Sequence, residues 1–191
     1  GLPSAAVRSA CPDRRTYLLR PDLGRRLDDA DRAALAPAPG RIAFILCDGL
    51  SALAVQRHAA PLLAQLMPHC PGPVIIATQA RVALGDDIGA ALQAEAACVL
   101  IGERPGLSTP DSLGVYLTWQ PRIGRTDAER NCISNIRPEG LPIPQAAAKL
   151  LWLIGEMRRL RLTGVALKDE QPLLVAPAGR ETPGPTAIAP P

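Results

Sequence analysis

Residues 41–47, Arg-Ile-Ala-Phe-Ile-Leu-Cys, form an unbroken apolar run between Pro39-Gly40 and Asp48-Gly49. A run of this length between turn-forming residues predicts a strand buried on both faces, as at the centre of a parallel sheet. Such a strand must be covered on each side, so helices have to follow. Ser51 stands where it can cap a helix over 52–66. The pattern then predicts a strand at 73–78, a helix over 86–94 and a third strand at 98–101. Alternation over 114–119 predicts a half-exposed fourth strand. A loop is expected over 120–144, then the clearest helical period of the chain, 145–161, and a last strand at 163–167. The expected fold is α/β: a Rossmann-like, mostly parallel sheet with flanking helices and right-handed crossovers.

The flanks differ from this centre. Residues 1–21 read as irregular, interrupted by Pro3, Pro12 and Pro21. Leu23, Leu27, Ala30 and Ala34 then recur at helical spacing, with Asp22 as a cap, until Pro37-Ala38-Pro39-Gly40 ends the segment. The α/β domain is thus expected at 39–170, preceded by a short helical N-terminal segment over 1–38. Six of the 21 residues in 171–191 are proline, so that tail is expected to be a linker or disordered.

Composition narrows the function. The chain has 191 residues, 47% hydrophobic, with five aromatics in all. A nucleic-acid groove built on stacking wants clustered aromatics, and a net charge of +3 marks no polyanion partner. The basic clusters Arg25-Arg26 and Arg158-Arg159-Arg161 read as solvated helix faces. No apolar run nears the roughly 18 residues of a membrane span. The five cysteines are odd in number and widely spaced without a CxxC pair, which fits a reducing cytoplasm better than a disulfide framework or a zinc site.

In an open parallel sheet, ligands bind beyond the carboxyl ends of the strands. Asp48-Gly49-Leu50-Ser51, Gly102-Glu103-Arg104-Pro105-Gly106 and the segment after Trp119 would share that rim. Gly49 and Gly106 would let backbone approach a ligand closely. Asp48 capping the next helix, and Glu103 pairing with Arg104 or Arg81, explain the same residues without a ligand; spacing alone does not choose. Phosphate-cradling glycine motifs are absent, and Gly49-Leu50-Ser51-Ala52-Leu53 fails the nucleophile-elbow pattern at position 53. His58 and His69 read as surface or helix-end residues. We expect no catalytic residue and no metal ligand in this chain. The stretch 125–137 is rich in hydrogen-bonding groups and reads as a functional loop. Within it, Cys132 is taken as a buried packing residue at a binding surface.

Several segments together resemble the small subunit of ethanolamine ammonia-lyase. They are Tyr17-Leu18-Leu19-Arg20-Pro21-Asp22-Leu23-Gly24-Arg25-Arg26-Leu27, Asp48-Gly49-Leu50-Ser51, Arg81-Val82, Gly102-Glu103-Arg104-Pro105-Gly106-Leu107 with Asp111-Ser112-Leu113, and Cys132-Ile133-Ser134-Asn135-Ile136. They follow the family's order and spacing from about residue 16 to 169. The resemblance implies an adenosylcobalamin-dependent carbon–nitrogen lyase that converts ethanolamine to acetaldehyde and ammonia by a radical route. It further implies a large, TIM-type partner subunit that holds the substrate, in a hetero-oligomer of large–small pairs. Localisation would be cytoplasmic, within a bacterial microcompartment. Val82, Glu103 and Cys132 would be the cobalamin contacts, and 39–170 the domain that carries them.

The resemblance also implies that the cofactor keeps its own benzimidazole on cobalt. The histidine motif DxHxxG of the other binding mode is missing here. Two features depart from the family: only 16 residues precede the first matching segment, and the Pro-rich tail is not part of the pattern. Against this stand two other classes, a stand-alone α/β metabolite-binding module and a structural partner of a larger enzyme.

Overall fold

A computed structural model describes residues 4–106 and 110–168. Six strands form one sheet: β1 (Ser4–Arg8), β2 (Ile42–Cys47), β3 (Val74–Thr78), β4 (Ala96–Gly102), β5 (Leu113–Trp119) and β6 (Arg130–Ile136). Their spatial order is β1-β3-β2-β4-β5-β6. Five α-helices accompany them: α1 (Arg14–Leu19), α2 (Asp29–Ala34), α3 (Ala52–Leu66), α4 (Leu84–Ala91) and α5 (Ile143–Leu160).

The apolar run of β2 sits where its composition requires, between β3 and β4 and parallel to both. Its side chains alternate between two cores. Ile42 and Phe44 join Cys98, Leu100, Leu62 and Leu150 under α3 and α5. Ala43, Ile45 and Cys47 join Val99, Leu84 and Ile88 under α4. Every residue of β4 is buried for the same reason. Ser51 caps α3 as expected, its Oγ accepting from the Ala54 N–H at 3.4 Å. On α5, Ala146, Leu150, Leu153, Ile154 and Met157 face the core, Leu151 and Trp152 pack at its margin, and Leu160 remains exposed.

The expectation of a mostly parallel, Rossmann-like sheet is corrected: the sheet is mixed. β5 runs antiparallel to β4, and β6 antiparallel to β5. The cause is connection length. Only residues 103–112 separate β4 from β5 and only 120–129 separate β5 from β6. A parallel crossover needs roughly a dozen residues or more, usually with a helix. The loop expected over 120–144 therefore contains β6: Asn131 pairs with Leu117, while Ser134 and Asn135 fall in a register shift between Ile133 and Ile136, where Asn135 takes φ +58°.

The helical N-terminal segment is corrected too, because the described chain opens with a strand. β1 pairs in parallel with β3 at the sheet edge. The helix expected from Leu23 to Ala34 splits into a 3-10 turn at Leu23–Arg25 and α2, because Leu27 is drawn into the sheet's flank. Its N–H donates to Asp87 Oδ2 at 2.8 Å, and Ser9 bridges to it. The strand expected at 163–167 is a 3-10 turn, Gly164–Ala166. There the side chain of Thr163, not a backbone ladder, takes the Trp119 N–H at 2.9 Å and donates to the Glu129 carbonyl at 2.7 Å. The Pro-rich tail lies outside the described residues. Among the described residues no helix is long and apolar enough to cross a membrane.

Candidate functional site

The carboxyl ends of β2, β3 and β4 meet where strand order reverses about β2, the position at which an open sheet presents its loops to a ligand. Asp48 does not cap α3, and its side chain is only partly exposed. Its carboxylate accepts the N–H groups of Gly49 and Gln79 at 2.9 Å and of Ala80 at 3.0 Å, with Arg14 at 3.6 Å. It thus pins the turn after β3, where Gln79 adopts φ +54°. Gly49 was expected to open space for a ligand, but β4 occupies that space: a Cβ on Gly49 would stand 2.4 Å from the Gly102 carbonyl oxygen.

Beyond this floor lie two adjoining cavities, of about 670 and about 280 Å³, which share Arg81, Val82 and Tyr116 in their walls. Val82 is half-buried, between both. Glu103 lines the smaller cavity with Gly102 and Arg104. Its Oε2 accepts from Ser112 Oγ and from the Asn135 N–H at 3.2 Å, so it does not pair with Arg81 or Arg104. Gly114 makes room for it, since a Cβ there would sit 2.9 Å from Oε1. Cys132 lines neither cavity and is exposed on β6, not buried as expected. It joins the site through its register partner Tyr116, whose hydroxyl interacts with the thiol.

Three residues that the sequence left far apart therefore gather round Tyr116, the residue it did not single out. Its signal was the alternation of β5, in which Tyr116 lies between buried Val115 and Leu117 and faces the other way. Burial pushes both the Tyr116 phenol and the Cys132 thiol above their usual ranges. Both are protonated at neutral pH, so Cys132 presents a thiol and not a nucleophilic thiolate.

Arg25 and Arg26 are exposed as expected, but at the end of the 3-10 turn Leu23–Arg25 and not on an α-helix. They line the larger cavity with Arg81, Arg125 and Arg130. Arg130 and Asp86 form an ion pair with side chains 2% and 3% exposed, and burial raises the Asp86 pKa to about 6 against the pull of Arg130. The guanidinium of Arg81 lies 4.4 Å from the Tyr17 ring centroid, a cation–π contact, and donates to the Tyr17 carbonyl at 3.0 Å. Its buried Nε has no hydrogen-bond partner. His58 is buried, not at the surface, with Nε2 3.4 Å from Asp111 Oδ2. Among the described residues no cluster of His, Cys, Asp and Glu has the makings of a metal site.

The two cavities of this α/β domain thus combine an apolar and aromatic wall, a rim carboxylate and a cationic flank. Residues 1–168 match the family model described as ethanolamine ammonia-lyase light chain. The chain is 54% identical over 182 residues to a protein of Azotobacter vinelandii named ethanolamine ammonia-lyase small subunit, covering 89% of this chain and 67% of that one. A protein of the same name from Bradyrhizobium diazoefficiens is 53% identical over 180 residues, covering 89% and 69%. One from Pseudomonas aeruginosa is 52% identical over 182 residues, covering 89% and 67%. The chain belongs to the ethanolamine ammonia-lyase light-chain family.

Proposed function

We propose that this chain is the cobalamin-contacting small subunit of an ethanolamine ammonia-lyase, which converts ethanolamine to acetaldehyde and ammonia. The observation that carries this reading is the gathering of Val82, Glu103 and Cys132 about Tyr116 on one rim. Adenosylcobalamin, when bound, supplies the radical by cleavage of its cobalt–carbon bond.

The residues present suit that group. A corrin is a broad, mostly apolar ring with amide arms at its edge. Val82 and the Tyr116 ring offer apolar surface to the ring. Glu103 keeps acceptor capacity at the rim for amide N–H groups, and Cys132 contributes packing. The buried, unpartnered Nε of Arg81 leaves one donor free at the join of the two cavities. This chain's part is to orient the cofactor and exclude water. A cleft open to one side needs a second wall, which we assign to a large subunit that also holds the substrate, in a hetero-oligomer of large–small pairs. We place the assembly in the cytoplasm, within a microcompartment.

Co-expression with a large subunit tests this. The two chains should co-purify, and cobalamin absorbance should titrate with the complex. Glu103→Ala should weaken cobalamin binding by about tenfold, the scale of one hydrogen bond to a charged acceptor. Full lyase activity from the large subunit alone would overturn the reading.

A further inference from the structure

The larger cavity carries more positive charge than its own walls neutralise. Five arginines and three aspartates line it. Arg130 is paired with Asp86, and Arg125 with Glu129 just outside the cavity. Arg20 pairs with Asp22, with Nη2 at 2.7 Å, and Asp127 is the third aspartate of the wall, so five arginines face three carboxylates. Arg81 is stacked on Tyr17. Arg25 and Arg26 remain exposed, and neither side chain has a hydrogen bond or ion pair among the described residues. Two exposed arginines in one cavity wall, neither in an ion pair of its own, favour an anion, and the guanidinium fork matches phosphate oxygens.

We propose that Arg25 and Arg26 form the subsite for the phosphodiester of the cobalamin nucleotide tail. This rests on the cobalamin reading above. In cobalamin the corrin arms are neutral amides, and the tail phosphodiester is the anionic group outside the metal centre. The cavity that Arg25 and Arg26 line adjoins the Val82–Glu103 wall through Arg81, Val82 and Tyr116. One ligand can therefore span both. Its apolar ring would lie against Val82 and Tyr116, and its anionic tail would reach the arginines about one cavity length away. Arg25 and Arg26 follow directly on Gly24, whose missing side chain allows this turn to close on Arg81: a Cβ there would stand 2.8 Å from Arg81 Cγ.

The test is binding of cyanocobalamin and of dicyanocobinamide, which lacks the nucleotide and its phosphate, to the complex with the large subunit. Both are read by the corrin absorbance. The Arg25→Ala/Arg26→Ala double variant should weaken cyanocobalamin by about tenfold or more and leave dicyanocobinamide unchanged. Arg25→Lys/Arg26→Lys should recover part of the loss, since charge returns without the fork. Raising salt should weaken cyanocobalamin binding in the parent complex more than in the double variant. Equal loss for both ligands, or no loss for either, overturns the subsite. So does tail-selective loss in Arg104→Ala instead, which would put the phosphate at the other cavity. Failure of the double variant to assemble with the large subunit also overturns it, making the pair a subunit contact. If Glu103→Ala weakens cobalamin while the arginine variant does not, only this inference fails. If the parent complex takes up neither corrinoid, the cobalamin reading itself fails.

Discussion

The carboxylate of Asp48, at the end of β2, accepts the Gln79 N–H at 2.9 Å and so holds the turn at the end of β3. Two more backbone donors, Gly49 and Ala80, share the same side chain. Asp48→Ala leaves three N–H groups without this acceptor and frees Gln79 from its left-handed conformation. The expected loss is about 2–4 kcal/mol of stability in denaturant unfolding. Asp48→Asn, which keeps one acceptor oxygen, should lose less. A loss below about 1 kcal/mol for the alanine variant would mean that the turn is held by other contacts.

The ends of β2 and β4 touch through glycine. A Cβ on Gly102 would stand 1.9 Å from the Ser51 carbonyl oxygen and 2.9 Å from that of Asp48, both backbone atoms with little room to shift. Gly102→Ala should cost at least about 3 kcal/mol or prevent folding at 37 °C. Gly155 is the contrast: it lies on the exposed side of α5 with nothing within 4 Å of a new Cβ. Gly155→Ala should raise stability by up to about 1 kcal/mol. Thermal melts of the two variants read both outcomes.

Glu103 braces two neighbours as well as the rim. Glu103→Ala releases Ser112 and the Asn135 N–H, so it should lower stability by about 1–2 kcal/mol even without any ligand. Glu103→Gln retains an acceptor oxygen and should fall in between. A melt of Glu103→Ala that matches the parent would show that the two contacts contribute nothing net.

Asp86 gives the cavity a pH dependence. Its pKa in the folded chain is raised to about 6 from the usual 3.8, chiefly by burial. Between those two pH values the folded state holds a proton that the unfolded state has released. Its contribution to stability therefore falls as pH rises from about 4 to about 6. Asp86→Asn should remove that slope, whatever its absolute cost from leaving Arg130 unpaired. Stability measured from pH 4 to 7 for parent and variant decides it, and parallel profiles would count against a raised Asp86.

The sequence carried the centre of this fold well. β2 and β4 are apolar throughout because both faces are covered, and continuous apolarity is visible without coordinates. The direction of β5 was readable in principle from the ten residues before it, but periodicity reports burial and not polarity of the chain. β6 escaped because Asn131, Ser134 and Asn135 favour turns in isolation; Asn131 is held by its pairing with Leu117, and the other two occupy a bulge that a sequence pattern does not tell from a loop. Val82, Glu103 and Cys132 came from resemblance; no spacing rule joins positions 82, 103 and 132. Tyr116, Arg25 and Arg26 were missed because each was judged by its own element, whereas the fold sets all three in the wall of one cavity.

β1 joins the sheet through β3 alone, with which it pairs across about seventy positions of chain, and its Arg8 is tied besides to Asp28 and Asp31. Loop closure over that span is entropically expensive, so this pairing waits for the β2–α3–β3 unit to exist. On a ribosome, Ser4–Arg8 therefore emerges before its partner strand and docks after it. Until then β3 keeps an open edge, with Val74–Thr78 unpaired on that side. The newly made chain is at its most vulnerable to pairing with a neighbour in that interval, at the strand that a survey of the folded core would rank as its least important.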